Sequence, residues 1–196
     1  MSRHTRALRG FTVQWPRGAE DRSATVRIAV VSDTHLPRFG RQLPRALEEG
    51  IRRAGVDLIL HAGDWTEPFA VALFEDLANV GGVAGNNDGA DLHERFGTRA
   101  VVGVGGLRVG ITHGHLGPGR TTRERAIGTF RDERVDVIAY GHSHIPHAER
   151  LPGGTWLVNP GSPTDRRTQP YYSWLLLQID DGRLERPRHV AYERHD

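Results

Sequence analysis

The chain has 196 residues, of which 37% are hydrophobic and 26% charged, values typical of a globular protein rather than a disordered one. It has no cysteine, which excludes disulfides, zinc–thiolate sites and thiol nucleophiles, and no apolar run approaches the ~18–20 residues that cross a bilayer. The formal net charge is +2, and the 26 basic residues are all arginines spread along the chain, which does not indicate a nucleic-acid-binding stripe.

Residues 1–25 carry scattered arginines and little apolar periodicity, so we expect an N-terminal extension that is flexible at least in part. These arginines form either a functional basic arm or a solvated segment. Regular patterning begins at Val26, and we expect residues 26–196 to form a single domain. Because the chain has neither cysteine nor an apolar secretory signal, we expect a cytoplasmic protein.

The sequence pattern of the first part of the domain predicts alternating strands and helices. Strands are predicted at Val26–Ser32, Val56–Leu60 and Val80–Ala84, because these runs are rich in β-branched and other apolar residues. A helix is predicted over residues 41–54, and another begins near Pro68 with apolar side chains on one side. The resulting order is βαβαβ.

The second part of the domain is rich in strands. A hairpin is predicted from Val101–Val104 and Leu107–Thr112. A capping box that begins a helix is predicted from Thr121 and Glu124, and a buried strand is predicted at Val135–Tyr140. The remainder predicts antiparallel strands at residues 146–151, 155–158, 171–180 and 183–191. We therefore expect an α/β fold in which two sheets pack face to face with helices outside.

Polar groups follow five of the predicted strands. They are Asp33-Thr34-His35, His61-Ala62-Gly63-Asp64, Gly85-Asn86-Asn87-Asp88, His113-Gly114-His115 and Gly141-His142-Ser143-His144. Each motif alone is weak, but ligands of open α/β sheets bind beyond the carboxyl ends of the strands, so five such motifs predict one site. His142 and His144 would project together from an extended strand unless a turn separates them.

The residue types in these motifs are typical metal ligands. Imidazole, carboxylate and amide groups suit divalent Mn, Fe, Ni, Co or Zn. A carboxylate can bridge two ions ~3.5–4 Å apart, whereas a neutral imidazole normally binds one. Two divalent ions held by two aspartates and a hydroxide would keep a positive charge, because histidine and asparagine ligands are neutral. Such a site is compatible with a phosphate ester as substrate.

Together the five motifs resemble those of the calcineurin-like metallophosphoesterases. The later Asn159-Pro160-Gly161-Ser162 is similar to a loop of the family's small prokaryotic phosphodiesterase branch, and the resemblance covers about residues 27–180. It implies the metallophosphoesterase fold, a four-layer α/β/β/α sandwich of two packed mixed sheets. It also implies two divalent metal ions, with Mn as the first choice and Fe, Ni, Co or Zn as alternatives.

The resemblance further implies which residues bind metal. One ion takes Asp33, His35 and His144, the other takes Asn86, His113 and His142, and Asp64 bridges the two. A bridging hydroxide would attack phosphorus in line while the ions stabilise charge on the phosphate oxygens. The two histidines of the last motif would then serve different ions.

The candidate catalytic residues are Asn87, Asp88 and His115. Many family members carry histidine at the position of Asn87, where it helps to protonate the leaving group, and an amide cannot act as a general acid. The small phosphodiesterase branch also lacks that histidine, so we expect slow activity that favours good leaving groups. Asp88 either orients a neighbour or forms a turn, and His115 either orients a ligand or faces the substrate.

Other side chains near the motifs have either a functional or a structural role, and the sequence does not decide between the two. His61 either orients the site or is a packed histidine, and Trp65 either stacks on substrate or belongs to the core. Three arginines after the fourth motif could clamp a phosphate or lie on a solvated helix face: Arg120, Arg123 and Arg125.

We therefore predict a metal-dependent phosphodiesterase that acts on small phosphate esters or nucleotides and has no membrane partner, with homo-oligomerisation left open. The alternative is a protein-binding scaffold on the same fold, like the retromer subunit that resembles this family. Such scaffolds tend to lose metal ligands, whereas this sequence keeps all seven. A nuclease is a third hypothesis, which rests on the arginines of the N-terminal arm.

Overall fold

The computed structural model describes residues 25–193, so the predicted extension lies outside the described residues except for Thr25. In chain order the elements are β1 (Val26–Val31), α1 (Arg45–Ala54), β2 (Leu58–His61), α2 (Phe69–Glu75), β3 (Asn79–Gly82), α3 (Ala90–Phe96), β4 (Arg99–Val104), β5 (Leu107–Thr112), α4 (Thr122–Thr129), β6 (Val137–Tyr140), β7 (His147–Arg150), β8 (Trp156–Asn159), β9 (Tyr172–Asp180), β10 (Arg183–Leu184) and β11 (Arg188–Tyr192). Within residues 25–193 no helix is both long enough and apolar enough to cross a membrane.

The strands form two mixed sheets. The first sheet has the order β10-β9-β1-β2-β3, and β11 also pairs with β9. Its strands β1, β2 and β3 are parallel, and β9 runs antiparallel to β1. The second sheet has the order β4-β5-β6-β8-β7, with β5, β6 and β8 parallel and the edge strands β4 and β7 antiparallel to their neighbours.

Strand β1 shows how the sequence creates a layer on each face of its sheet. Ile28 and Val30 join the apolar cluster between the sheets, which also contains Val109 of the second sheet. Ala29 and Val31 point the other way and join the cluster beneath the helices. Successive side chains of a strand alternate between faces, so a continuous apolar run is what a strand buried on both sides requires.

The helices cover the outer faces of both sheets. Leu47 and Ile51 of α1 pack with Phe74 of α2 and Leu92 of α3 against the first sheet. Ala126 of α4 packs against the outer face of the second sheet. The order of layers is therefore helices, sheet, sheet, helix, which confirms the predicted α/β/β/α sandwich.

The capping box that the sequence predicts is present. The Thr121 side chain accepts a hydrogen bond from the Glu124 backbone N–H at 3.1 Å, and the Glu124 carboxylate accepts one from the Thr121 backbone N–H at 3.1 Å. Two backbone donors of the first turn are thereby satisfied, so the helix begins where the sequence indicates.

Apart from shifts of one or two residues at the ends of strands, three elements differ from the prediction. The first helix begins at Arg45 rather than residue 41, because it starts directly after Pro44. The antiparallel strands predicted at 146–151 and 155–158 are present as β7 and β8, and β8 in addition pairs parallel with β6. The strand predicted at 183–191 is two strands separated by Pro187. Helix α3 was not predicted, since its seven residues supply only two buried side chains between flanking glycines.

Candidate metal centre

The five polar motifs lie where five strands end, and these strands belong to both sheets. Asp33, Asp64 and Asn86 follow β1, β2 and β3 of the first sheet, while His113 and His142 follow β5 and β6 of the second. A hydrogen bond joins the motifs of the two sheets, because the His142 backbone N–H donates to Asp33 Oδ2 at 3.0 Å. The expected convergence of the five loops is therefore seen.

The backbone of this centre is unusual. Five of the expected ligands have a positive φ: Asp33 (59°), His35 (47°), Asp64 (61°), His142 (68°) and His144 (59°). Non-glycine residues rarely adopt this left-handed conformation, and such strain concentrates at functional sites. The last motif is consequently a turn rather than an extended strand, so its two histidines separate.

Asp33, His35 and His144 form the first group of donors. The Nε2 atoms of His35 and His144 lie 3.3 Å apart, and Asp33 Oδ1 lies 3.4 Å from His144 Nε2 and 3.9 Å from His35 Nε2. All three residues are buried. Three potential ligand atoms therefore converge from β1 and the turn after β6.

Asn86, His113 and His142 form the second group, next to Asp64. His113 Nε2 lies 3.3 Å from Asp64 Oδ2 and 3.1 Å from Asn86 Oδ1. The rings of His113 and His142 meet edge to face with centroids 5.1 Å apart. His142 thus lies beside His113, whereas His144 lies beside His35.

Asp64 lies between the two groups. Its Oδ2 is 3.3 Å from His113 Nε2 and 3.7 Å from His35 Nε2, so one oxygen faces a histidine of each group. Asp33 Oδ1 also approaches His113 Nε2, at 4.0 Å. Both carboxylates are therefore positioned where the two groups meet.

Hydrogen bonds at Nδ1, the ring nitrogen that faces away from the centre, orient two of the imidazoles. His113 Nδ1 lies 2.8 Å from the Ala62 carbonyl and His144 Nδ1 lies 2.6 Å from the Asp165 carbonyl. A carbonyl only accepts, so each Nδ1 carries the proton and each Nε2 presents its lone pair to the centre when the ring is neutral. This arrangement is typical of metal-binding histidines.

The electrostatics of the centre favour a cation. Burial opposes ionisation of Asp33, but the hydrogen bond with His144 and the charge of His113 lower the pKa of Asp33 below its ordinary value. Burial likewise opposes ionisation of Asp64, and the hydrogen bonds from His113 and Asn87 lower its pKa. Burial should lower the pKa of His113, yet Asp64 and Asp33 raise it to about 9. The two buried carboxylates are therefore ionised and attract positive charge.

The donor sets fit divalent metal ions. Within residues 25–193 two groups place their ligand atoms within 4.8 Å of one another: Asp33, His35 and His144, and Asp33, Asp64 and His113. Nitrogen and oxygen donors of this kind bind first-row divalent ions. The site is thus a candidate centre for such ions.

Asn87 and Asp88 contact Asp64 from opposite sides. The backbone N–H of Asn87 donates to Asp64 Oδ1 at 2.9 Å and its side-chain amide donates to Asp64 Oδ2 at 2.6 Å, while the residue itself is exposed. Asp88 is buried, and its carboxylate accepts from the backbone N–H groups of Asp64, Gly85 and Thr66 at 2.7–3.0 Å. This geometry favours the orienting alternative for Asp88.

His115 lies beside the second group without joining it. Its ring centroid is 5.2 Å from that of His113 and 6.3 Å from that of His142. Burial, with the charges of those two histidines, lowers the pKa of His115 to about 4. Its Nδ1 is buried and has no hydrogen-bond partner among the described residues. A neutral imidazole therefore lies next to the centre.

His61 and Trp65 support the loop that carries Asp64. His61 is fully buried, its Nδ1 accepts from the Gly63 backbone N–H at 3.2 Å, and its Nε2 lies 3.2 Å from Thr34 Oγ1. Its ring stacks on Trp65 at a centroid distance of 3.6 Å. Trp65 is also fully buried, so it belongs to the core and does not face a substrate.

The three arginines after the fourth motif make contacts elsewhere. Arg123 Nε pairs with Glu149 at 2.5 Å, Arg125 Nε donates to the Gly119 carbonyl at 3.3 Å, and Arg120 is exposed. These contacts favour the solvated-helix interpretation over a phosphate clamp.

Sequence reasoning missed the structural role of the loop after β8. Asn159 Nδ2 donates to the Gly141 carbonyl at 2.9 Å and to Ser143 Oγ at 3.1 Å, which holds the last motif. Ser162 and Thr164 donate to the Asp33 carbonyl at 2.7 and 3.2 Å. The motif Asn159–Ser162 was visible in the sequence, but nothing in its spacing indicated these partners.

A sandwich of two mixed sheets with buried aspartates and histidines at its strand ends is the architecture of a metallophosphoesterase. In agreement, the model of the calcineurin-like phosphoesterase superfamily domain matches residues 26–182, and the chain therefore belongs to that family. The resemblance noted in the motifs is confirmed.

Two relatives in sequence and one solved structure of the same fold are similar to this chain. The chain is 39% identical over 160 residues to a probable metallophosphoesterase of Methanothermobacter thermautotrophicus, covering 81% of this chain and 88% of that protein. It is 30% identical over 150 residues to a phosphodiesterase of Methanocaldococcus jannaschii, covering 69% and 83%. The structure of Vps29 from Entamoeba histolytica in complex with zinc superposes with a TM-score of 0.68 at 23% identity, covering 85% and 99%.

Proposed function

We propose that the protein is a dinuclear metal-dependent phosphodiesterase that hydrolyses small phosphate esters or nucleotides. The observation that carries this proposal is the position of Asp64, whose Oδ2 lies 3.7 Å from His35 Nε2 and 3.3 Å from His113 Nε2. One carboxylate that faces two groups of donors is what a shared ligand of two ions requires.

In this proposal Asp33, His35 and His144 hold one ion, Asn86, His113 and His142 hold the other, and Asp64 serves both. Two bound divalent ions supply a nucleophile derived from water and stabilise charge on the phosphate oxygens. Mn is our first choice of metal, with Fe, Ni, Co and Zn as alternatives, because the nitrogen and oxygen donors suit all of them.

The residues around the ligands fix their geometry. Asn87 donates two hydrogen bonds to Asp64, and the carbonyls of Ala62 and Asp165 fix the protons of His113 and His144 on Nδ1. Each Nε2 is thus held in the orientation that binding needs, and little reorganisation accompanies the reaction.

Among the residues that the structure describes, those around the centre provide no efficient proton donor for the leaving group. The exposed Asn87 amide can donate a hydrogen bond to a phosphate oxygen, but it holds no proton that it could transfer at neutral pH. His115, the imidazole beside His113 and His142, has a pKa lowered to about 4 by burial and by the charges of those two histidines. We therefore propose that good leaving groups are preferred.

The proposal is tested by replacing Asp64 with asparagine and measuring hydrolysis of bis(4-nitrophenyl) phosphate with Mn(II). We expect kcat/KM to fall at least about a hundredfold, since the shared anionic ligand is lost. The matched control is Asp132→Asn, whose carboxylate is 84% exposed and outside the centre. Unchanged turnover in Asp64→Asn would contradict the mechanism.

A protein-binding scaffold is the second candidate, because the fold is shared with Vps29 at a TM-score of 0.68. Metal content alone does not separate the two, because that Vps29 structure itself holds zinc. Hydrolysis of bis(4-nitrophenyl) phosphate does: a scaffold should show none with Mn(II), and chelation should leave its partner binding intact. The complete set of seven donors favours the enzyme.

A further inference from the structure

An open cavity lies beside the candidate metal centre. It has a volume of about 260 Å³ and is lined by Phe39, Thr164, Asp165, Arg166, Arg167 and Tyr172. None of these residues belongs to the expected ligand set. The cavity combines cationic and aromatic side chains, which are the groups that recognise phosphorylated nucleosides.

Three contacts place this cavity next to the centre. The Asp165 carbonyl lies 2.6 Å from His144 Nδ1, and Thr164 Oγ1 donates to the Asp33 carbonyl at 3.2 Å. The Phe39 ring lies 6.4 Å from the His35 ring, edge on. The wall of the cavity is therefore continuous with the residues that carry the first group of donors.

The cavity carries an excess of positive charge. Arg167 Nε lies 3.8 Å from Asp165 Oδ2, a distance too long for a hydrogen bond, and the Arg167 side chain is 55% exposed. Within residues 25–193 no carboxylate forms an ion pair with Arg166, whose Nη1 donates to the Gln169 carbonyl at 2.6 Å. The Arg166 guanidinium also lies over the Tyr172 ring, with its Cζ 5.6 Å from the ring centroid. The lining of the cavity thus contains two guanidinium groups and a single carboxylate.

The Asp165 carboxylate is engaged on one oxygen only. Its Oδ1 accepts from the Arg167 backbone N–H at 3.3 Å, whereas its Oδ2 lies 3.6 Å from His144 Nδ1, too far for a hydrogen bond. The Arg167 side chain is 55% exposed and that of Asp165 only 22%, so an incoming anion meets the guanidinium more readily than the carboxylate. Arg167 also has a positive φ of 48°, a conformation shared with the ligands of the adjacent centre.

We propose that this cavity binds a second phosphate of the substrate, so that the preferred substrate is a nucleoside phosphodiester that carries a further, terminal phosphate. The inference rests on the phosphodiesterase function proposed above. The scissile phosphate lies at the metal centre, the terminal phosphate pairs with Arg166 and Arg167, and the nucleoside lies on the Phe39 side of the cavity. The nucleoside takes that side because the Tyr172 ring already stacks on Tyr192 and lies under the Arg166 guanidinium. Guanidinium groups bind phosphate oxygens in pairs, which gives both affinity and orientation.

The test compares two esters that differ only in the terminal phosphate: thymidine 5′-(4-nitrophenyl phosphate) and the same compound with a 3′-phosphate. With Mn-loaded wild-type protein we expect kcat/KM to be at least about tenfold higher for the phosphorylated ester, chiefly through a lower KM. In the double variant Arg166→Gln/Arg167→Gln the ratio of the two kcat/KM values should approach one. The control Arg131→Gln, which removes an exposed arginine paired with Asp132, should keep the wild-type ratio.

The outcomes separate this inference from the proposed function. If the wild-type protein hydrolyses both esters with equal kcat/KM, the phosphate subsite is wrong and the phosphodiesterase proposal stands. If it hydrolyses neither ester nor bis(4-nitrophenyl) phosphate, the proposed function itself is wrong. A ratio that persists in the double variant also overturns the subsite, and because the ratio is taken on one enzyme sample, partial misfolding does not change it.

Discussion

The Nε2 atoms of His35 and His144 lie 3.3 Å apart, although the residues are separated by 109 positions in the chain. His35 follows β1 of the first sheet and His144 lies in the turn after β6 of the second. A cation shared by these two nitrogens would cross-link the two sheets. Metal binding should therefore stabilise the fold as well as support catalysis.

We expect Mn(II) to raise the melting temperature of chelator-treated protein by at least about 5 °C, since a ligand at a hundred times its dissociation constant contributes ~2.7 kcal/mol per site. Elemental analysis should give two ions per chain for the wild type and close to one for His35→Ala. His93→Ala removes an imidazole that is outside both donor groups and should keep two ions. Two ions retained in His35→Ala would contradict the ligand assignment.

Asn87→Ala tests whether the amide positions Asp64. The substitution removes the 2.6 Å hydrogen bond to Asp64 Oδ2 but keeps the backbone bond to Oδ1. We expect kcat for bis(4-nitrophenyl) phosphate to fall about tenfold, which corresponds to the loss of one hydrogen bond to a charged group. Metal content should stay the same, and a variant with lost metal and unchanged kcat per bound ion would show that Asn87 serves metal retention only.

Gly85→Ala tests the close approach of two loops. An added Cβ would lie 2.1 Å from Asp64 Oδ1 and 2.6 Å from the Asp64 backbone nitrogen, and the backbone atom cannot move aside cheaply. We expect the free energy of unfolding to fall by about 2–3 kcal/mol or more, as in other overpacked sites.

The control for that substitution lies four residues further along the same loop. Gly89→Ala would meet no atom within 4 Å, and Gly89 precedes α3 as its N-cap, so the cost should stay below about 1 kcal/mol. Chemical denaturation of both variants measures the difference. Equal stabilities would show that the loop around Asp64 adjusts freely.

Asn159→Ala removes the side chain that donates hydrogen bonds to Gly141 and Ser143 of the last motif, a pair of contacts that we call the clamp. The buried Gly161 backbone N–H would lose Asn159 Oδ1, to which it donates at 2.9 Å, while the Gly141 carbonyl would lose one donor and keep the Ser143 backbone N–H at 2.8 Å. An unsatisfied buried group of this kind costs ~1–3 kcal/mol, so we expect a loss of about 1–3 kcal/mol in the free energy of unfolding. Asn79→Ala, at an exposed position of β3, should change it by less than about 0.5 kcal/mol. A similar loss in both variants would argue against the clamp.

The sequence allowed the fold to be predicted well where patterning is strong. The run Val26–Ser32 predicts a strand buried on both faces, and β1 is such a strand. The parallel pairing of β8 with β6 could not be predicted, because strand direction depends on tertiary contacts and not on the run of residues itself. Helix α3 was not predicted because its seven residues are too few to show a helical periodicity of apolar side chains.

The sequence also allowed the place of the candidate site to be predicted, since all seven expected ligands follow strands that end together. What it could not predict is which distant groups hold them. The carbonyls of Ala62 and Asp165, which orient His113 and His144, belong to the backbone and leave no trace in residue identity. The cavity arginines Arg166 and Arg167 were equally hidden among the 26 arginines of the chain.

The apolar layer between the sheets has a consequence for how this centre can evolve. Asp33 and Asp64 extend from one sheet and His113 and His142 from the other, so the thickness of that layer sets the separation of the two halves. A change of side-chain volume at a residue such as Val30 or Val109 would alter the spacing of the two halves of the candidate centre. Selection on the proposed activity would therefore act on the interior of the sandwich as well as on its rim.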